Sequence, residues 1–229
     1  MTAPDQTARK RAAAERAVAE VRDGMMVGLG TGSTAELAVE ALAKRLSADL
    51  KIVAVPTSER TRTLAEKLGV PLAPAGDWPD LDLAIDGADQ VERGSLNLIK
   101  GLGGALLREK IVASAAKRMV VIVDDSKIVE RLGGRTPLPV EIVTFGWKRT
   151  VERLADLGLQ PRLRLVSNGP FLSDGGNHIV DCRMGEIADA RELEAKLAGI
   201  VGVIETGLFL GLASMVVVGN STGIEVMQR

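Results

Sequence analysis

The sequence predicts an α/β protein: a Rossmann-like, mostly parallel sheet with helices on both faces, followed by a smaller α+β ferredoxin-like (βαββαβ) domain. Three observations carry that expectation. Short Val-, Ile- and Leu-rich runs alternate with amphipathic stretches through the first half, the pattern of buried parallel strands joined by helices. The pattern changes near Gly133-Gly134, with Pro137 and Pro139 close behind. Beyond that point the strand and helix signals follow the order of the split βαβ arrangement.

Each element has its own justification. Residues 25–29, 50–55, 81–85 and 119–123 are short and apolar and read as buried strands. Residues 34–46, 58–68 and 105–116 show helical spacing of apolar side chains. In the second part, residues 140–144 read as extended, and the next helix places Trp147, Val151, Leu154 and Leu157 on one face. Strands over 162–166 and 178–183 flank a turn at Asp174-Gly175-Gly176; a helix over 190–197 and a strand over 201–206 complete the set. Residues 215–218 are expected to return to the first sheet, so the domains are expected at 1–133 with 208–229, and at 134–207.

Composition narrows the function classes. The 229 residues carry 29 Lys+Arg against 30 Asp+Glu, a net charge of −1, without the basic excess of a nucleic-acid or anionic-membrane binder. Aromatic residues are 2% and Tyr is absent, which disfavours base-stacking surfaces. One Cys (Cys182) and one His (His178) exclude an intrachain disulfide and a His- or Cys-rich metal site. Both lie in the strand over 178–183 and read as structural, and a lone thiol suits a reducing cytoplasm. Residues 1–23 are charged and helix-friendly, without the apolar stretch of a signal peptide. The uncharged run 206–224 is interrupted by Gly207, Gly211 and Gly219 and reads as a buried strand rather than a membrane span.

In an open parallel sheet, ligands bind beyond the carboxyl ends of the strands, so the loops there are the candidates. The first is Gly30-Thr31-Gly32-Ser33-Thr34, glycine-rich and opening a helix, suited to a phosphate. A dinucleotide is disfavoured, because Val55-Pro56-Thr57-Ser58 stands where a ribose-binding acid belongs. The third strand ends in Asp86-Gly87-Ala88-Asp89, whose carboxylates could divide acid and base work, hold a cation, or cap the next turn. Lys100-Gly101-Leu102-Gly103-Gly104 is a second glycine-rich turn entering a helix, with Glu109 about one turn in. On sequence alone Glu109 is equally a dipole partner or a solvated charge between Arg108 and Lys110. The fourth strand is followed by Asp124-Asp125-Ser126-Lys127.

Taken in order, 28–35 (GLGTGSTA), 86–89 (DGAD), 100–110 (KGLGGALLREK), 125–127 (DSK), 137–141 (PLPVE) and 174–177 (DGGN) resemble ribose-5-phosphate isomerases of the A type, over nearly the whole chain from Lys10 onward. The resemblance implies interconversion of D-ribose 5-phosphate and D-ribulose 5-phosphate in the pentose phosphate pathway, in the cytoplasm, with no organic cofactor and no metal. It implies Glu109 as the general base, Asp86 and Asp89 in ring opening and hydroxyl proton handling, and Lys100 as oxyanion stabiliser. Thr31, Gly32, Ser33, Thr34 and Lys127 would hold the phosphate and sugar end. Gly87, Ala88, Gly101, Leu102 and Gly103 would line the substrate, and Lys10 matches a basic position near the site. A homodimer or homotetramer is implied as well.

Two residues depart from the family pattern: Leu102 replaces a glycine common in the second turn, and Ser214 an acid common before the last strand. The principal alternative is a non-catalytic sugar-phosphate sensor on the same fold. The residues before the first strand are too few for a helix-turn-helix with its linker, and a sensor needs no Glu109, Lys100, Asp86 and Asp89 set. An NAD-linked oxidoreductase lacks its ribose-binding acid, and a deaminase or hydrolase of amino-sugar phosphates would want a histidine outside the second domain.

Overall fold

The computed structural model describes residues 3–229, so Met1 and Thr2, part of the amino-terminal stretch considered above, lie outside the described residues. The chain begins with α1 (Ala3–Val18), β1 (Met26–Leu29), α2 (Ser33–Leu46), β2 (Val53–Pro56), α3 (Glu59–Lys67) and β3 (Leu83–Gly87). It continues through β4 (Gln90–Glu92), β5 (Leu98–Ile99), α4 (Leu106–Ser114), β6 (Met119–Asp124), a 3₁₀ turn (Asp125–Lys127) and β7 (Ile128–Val129). Then come β8 (Leu138–Ile142), α5 (Trp147–Asp156), β9 (Gln160–Leu163), β10 (Leu165–Val166), β11 (Gly169–Pro170), β12 (His178–Arg183) and α6 (Ala190–Ala198). The last strands are β13 (Val203–Thr206), β14 (Leu208–Phe209), β15 (Ala213–Asn220) and β16 (Gly223–Gln228).

The chain forms two compact units, one of Met1–Ala88, Arg108–Ile128 and Gly211–Arg229, the other of Asp89–Leu107 and Val129–Leu210. The expected boundaries placed residues 89–107 in the first domain. They group with the second because β4 and β5 pair with each other and β5 pairs with β14, in a small sheet of order β14-β5-β4-β7. Strands of two or three residues leave no periodicity to read in a sequence.

The first unit is built on a six-stranded sheet of order β16-β15-β6-β3-β1-β2. All neighbours are parallel except the β15–β16 hairpin. Every residue of β6 is buried, as a strand covered on both faces requires. Val27 and Leu29 join the core with Ala13, Ala17 of α1 and Leu42 of α2. Gly28, pointing the other way, lies against Val112 of α4. Because β1, β2, β3 and β6 run in one direction, their carboxyl ends share one edge, as the strand pattern predicted. The antiparallel edge strand β16 was not expected; it follows a turn in which the Thr222 N–H donates to Asn220 Oδ1 (2.9 Å).

The second unit carries the antiparallel sheet β13-β8-β12-β9, the strand order of a ferredoxin-like βαββαβ unit. Its core packs Val140 and Ile142 of β8 and Val180 and Cys182 of β12 against Leu154 and Leu197 of its helices. Leu157, expected on the apolar face with Leu154, is the C-cap residue of α5 and is 38% exposed. The PLPVE and DGGN segments form one device. Glu141, buried on β8, accepts through Oε1 the Ser173 hydroxyl (2.7 Å) and the Asn177 amide (3.0 Å), clamping the turn between them.

His178 is nearly buried, with Nδ1 3.3 Å from the Phe171 carbonyl oxygen and its ring edge-on to Trp147, a structural placement. Burial, with Asp181 adding to it, pushes the Cys182 thiol up to about 12. A thiol held above its unfolded value of about 8.5 stabilises the fold fully below that pH and loses this contribution as the pH climbs through the folded value. Native protein at about pH 8.5 is therefore expected to resist iodoacetamide, while the guanidinium-unfolded chain takes up one label. Rapid labelling of the folded protein would contradict the burial.

Candidate active site

The first unit assembles its loop from the strand ends upward. After β1 the chain turns so sharply that a Cβ on Gly30 would lie 1.9 Å from Asp86 Oδ1 at the end of β3. Only glycine fits, and the carboxylate uses the opening: Asp86 Oδ1 accepts the N–H of Thr31 (3.1 Å) and of Gly87 (2.7 Å). Asp86 is buried, so these charge-assisted bonds act in a low-dielectric setting. Of the roles left open for Asp86, it fills the cap, and it caps the glycine loop of another strand.

Thr31 is held further. Its Oγ1 lies 2.8 Å from both Thr57 Oγ1 and Ser58 Oγ, and 3.2 Å from Thr61 Oγ1. Thr57 donates to the Leu29 carbonyl (3.0 Å) and Thr61 to the Gly30 carbonyl (2.9 Å), tying the hydroxyl cluster to the loop backbone. Thr57, Ser58 and Thr61 were missing from the candidate set. Their signal was the Pro56-Thr57-Ser58 segment at the carboxyl end of β2. The N-cap of α2 is Gly32, which makes no side-chain cap hydrogen bond, so the first N–H groups of that helix are the kind of donors an anion site uses. Ser33 is exposed and Thr34 half-buried.

The fourth loop is reinforced by α1. Arg9 Nη1 donates to both oxygens of Asp125 (3.1 Å each). Lys10 Nζ lies 3.8 Å from the fully buried Asp124, which also accepts the Ser126 N–H (3.1 Å). Lys10 thus stands at the carboxyl edge of β6, beside the turn that carries the half-buried Lys127.

Glu109 lies in the first turn of α4 and is 4% exposed, which removes the reading of a solvated surface charge. Its neighbour Arg108 turns to Glu59 instead (2.7 Å), and that guanidinium holds the Glu59 carboxyl below the usual carboxylate value.

The second unit carries Asp89 and the Lys100–Gly104 turn. Lys100 is 3% exposed; its N–H donates to the Gly207 carbonyl (2.9 Å) and its Nζ lies 5.4 Å from the centre of the Phe209 ring. Gly101 has φ +107°, and a Cβ there would meet Leu106 at 2.8 Å. Leu102 needs no such freedom: its φ is not positive, its side chain is 43% exposed, and its N–H donates to Asp89 Oδ2 (2.9 Å). The Leu102 departure is therefore compatible with an intact turn. Gly87, Ala88 and Gly103 border these segments, Gly103 exposed and the other two half-buried. Ser214, the other departure, donates to the Met119 carbonyl (2.9 Å) inside the first sheet. Among the described residues no cluster of three or more His, Cys, Asp or Glu could hold a metal ion. Among the described residues, no helix is long and apolar enough to cross a membrane.

Residues 53–223 match the family model described as ribose 5-phosphate isomerase A (phosphoriboisomerase A). A ribose-5-phosphate isomerase A from Gloeobacter violaceus is 54% identical over 218 residues, 95% of each chain. One from Gluconobacter oxydans is 51% identical over 98% of each. A solved D-ribose-5-phosphate isomerase in complex with phospho-erythronic acid superposes with a TM-score of 0.94 at 37% identity, covering 98% of this chain and 99% of that one. The ribose 5-phosphate isomerase A of Methanocaldococcus jannaschii gives 0.93 at 40%, covering 97% and 99%.

Gly30→Ala is expected to cost about 1–3 kcal/mol through overpacking against Asp86, read as a lower urea midpoint. Leu102→Gly should move the midpoint far less than Gly101→Ala, since only position 101 requires a positive φ. Equal effects at 101 and 102 would contradict the turn geometry.

Proposed function

The chain belongs to the ribose 5-phosphate isomerase A family, and from that premise we propose that it interconverts D-ribose 5-phosphate and D-ribulose 5-phosphate through an enediolate, with Glu109 as the base. The observation that carries the reading is the burial of Glu109 in the first turn of α4, on the segment that continues directly from the Lys100–Gly104 turn. A carboxylate shielded from water retains an abstracted proton long enough to return it to a neighbouring carbon.

The steps follow from the residue types. Asp86 and Asp89 handle the hydroxyl protons that move as the furanose ring opens. Glu109 removes the proton from C2 of the open aldose, and the C1 carbonyl becomes the oxyanion of the enediolate. The cation of Lys100 and backbone N–H groups of its turn stabilise that charge. The O2 proton passes to O1, Glu109 delivers its proton to C1, and the carbonyl stands at C2. The N-terminal turn of α2, with Thr31, Gly32, Ser33 and Thr34, holds the phosphate together with Lys127, and Lys10 adds positive charge at that edge. Gly87, Ala88, Gly101, Leu102 and Gly103 line the sugar. No step requires an organic cofactor or a metal. The enzyme acts in the cytoplasm as a homodimer or homotetramer, within the pentose phosphate pathway.

A general base of this kind contributes about 10²–10⁴-fold. Glu109→Gln is therefore expected to lower kcat by at least about 10²-fold with KM nearly unchanged. Near-normal turnover would remove Glu109 from the role. Lys127→Ala should chiefly raise KM for ribose 5-phosphate, and an unchanged KM would place the phosphate elsewhere. Saturable binding of ribose 5-phosphate by the wild type without any turnover would turn the reading into that of a sensor.

A further inference from the structure

We propose that Arg164 is a positioning residue for the isomerisation: it orients the peptide groups of the Lys100–Gly104 turn from behind, while Asp181 and Phe171 hold it in place. The inference rests on the isomerase reading, and every contact in it lies within the second unit. Arg164 sits between β9 and β10. Its own backbone is pinned on both sides, its N–H donating to the Ile179 carbonyl (2.8 Å) and its carbonyl accepting the Phe171 N–H (2.9 Å). The guanidinium forms a fork on Asp181, Nε at 2.9 Å from Oδ2 and Nη2 at 2.5 Å from Oδ1. The remaining arm, Nη1, reaches the carbonyl oxygens of both Gly101 (3.0 Å) and Leu102 (3.1 Å). The Phe171 ring lies 5.7 Å from the guanidinium carbon, and its edge occupies the space a side chain at Gly104 would need.

The consequence follows from peptide geometry. In a trans peptide the C=O and N–H point in opposite directions. With the Gly101 carbonyl turned to Arg164, the Leu102 N–H must point away from it, and it is this N–H that Asp89 accepts at 2.9 Å. The Gly101–Leu102 peptide is thereby strung between a cation and a carboxylate, which polarises it and fixes its plane. The same rule aims the Gly103 N–H away from Arg164, as a donor presented on the Asp89 side of the turn. An oxyanion stabiliser works only if its donors are already aimed when charge develops. The Gly104 N–H closes the turn on the same Gly101 carbonyl (3.0 Å), and Arg164 fixes the aim of that glycine-rich turn by holding the Gly101 and Leu102 carbonyls together. Lysine replaces it only in part, because one ammonium keeps the charge but cannot span Asp181 and two carbonyls in a fixed plane.

The test compares Arg164→Met, Arg164→Lys and Asp181→Asn with the wild type in two measurements: kcat and KM for ribose 5-phosphate, and hydrogen exchange of the backbone amides over 101–104. The melting temperature controls for global stability. Arg164→Met should lower kcat between about 10- and 100-fold with little change in KM, as expected of a misplacement near 1 Å. Exchange over 101–104 should quicken while β6 stays protected. Arg164→Lys should fall between, and Asp181→Asn should shift both measurements in the same direction. Should Arg164→Met fail to fold, Arg164→Lys and Asp181→Asn carry the comparison. Unchanged exchange over 101–104 together with kcat within about twofold of wild type would overturn the proposal. A folded wild type that does not turn over ribose 5-phosphate would defeat the isomerase reading, and the exchange comparison would still decide whether Arg164 sets the turn.

Discussion

The carboxylate of Asp86 is the contact from which the first unit's loop geometry follows. It lies so close to Gly30 that no side chain fits between them, and it accepts the N–H groups of Thr31 and Gly87 on one oxygen. Hydrogen bonds to a charged group contribute about 1.5–3 kcal/mol each, more than a neutral pair. The end of β3 and the loop after β1 are thereby a single object. The uncapped start of α2 and the hydroxyl cluster of Thr31, Thr57, Ser58 and Thr61 take their places from it. A residue proposed to exchange protons with substrate is thus also a structural cap.

The second unit solves a similar problem with different parts. Its glycine turn follows β5, and the Lys100 backbone is tied to Gly207, which itself donates to the Pro139 carbonyl of β8 (2.7 Å). Asp89 takes the Leu102 N–H from one side and Arg164 takes two carbonyls from the other. Both units therefore hold glycine-rich backbone with a carboxylate, and in both the glycines that matter are those where a Cβ would collide or φ is positive. This explains why the turn accommodates Leu102, whose φ is not positive and whose side chain is exposed.

Much of this was legible in the sequence, for identifiable reasons. Strands covered on both faces read as continuous apolar runs, so β1, β2, β3 and β6 stood out and their shared edge followed. The βαββαβ order was visible because α5 and α6 are amphipathic and the turns carry glycine. The small sheet of β4, β5, β7 and β14 was not legible, because its strands are too short for a period and pair across long sequence separations. Edge strand β16 alternates in exposure but hides behind a polar turn. Among the candidate residues, Glu109 was ambiguous by sequence, since flanking charges suggested a wet surface; burial is a property of the fold. Arg164 gave no signal, because its role depends on which carbonyls the tertiary structure brings to it.

The central claim is that a protein carboxylate carries the proton between C2 and C1. It is tested most directly by running the isomerisation of ribose 5-phosphate in D₂O, with EDTA present, and following the substrate and product by NMR. The account predicts turnover with solvent deuterium entering at C2 of the aldose or C1 of the ketose, because the proton held by Glu109 exchanges during some turnovers. Turnover that transfers the C2 hydrogen wholly to C1 without any solvent label, and that stops when EDTA is added, would contradict it in favour of a metal-assisted hydride shift.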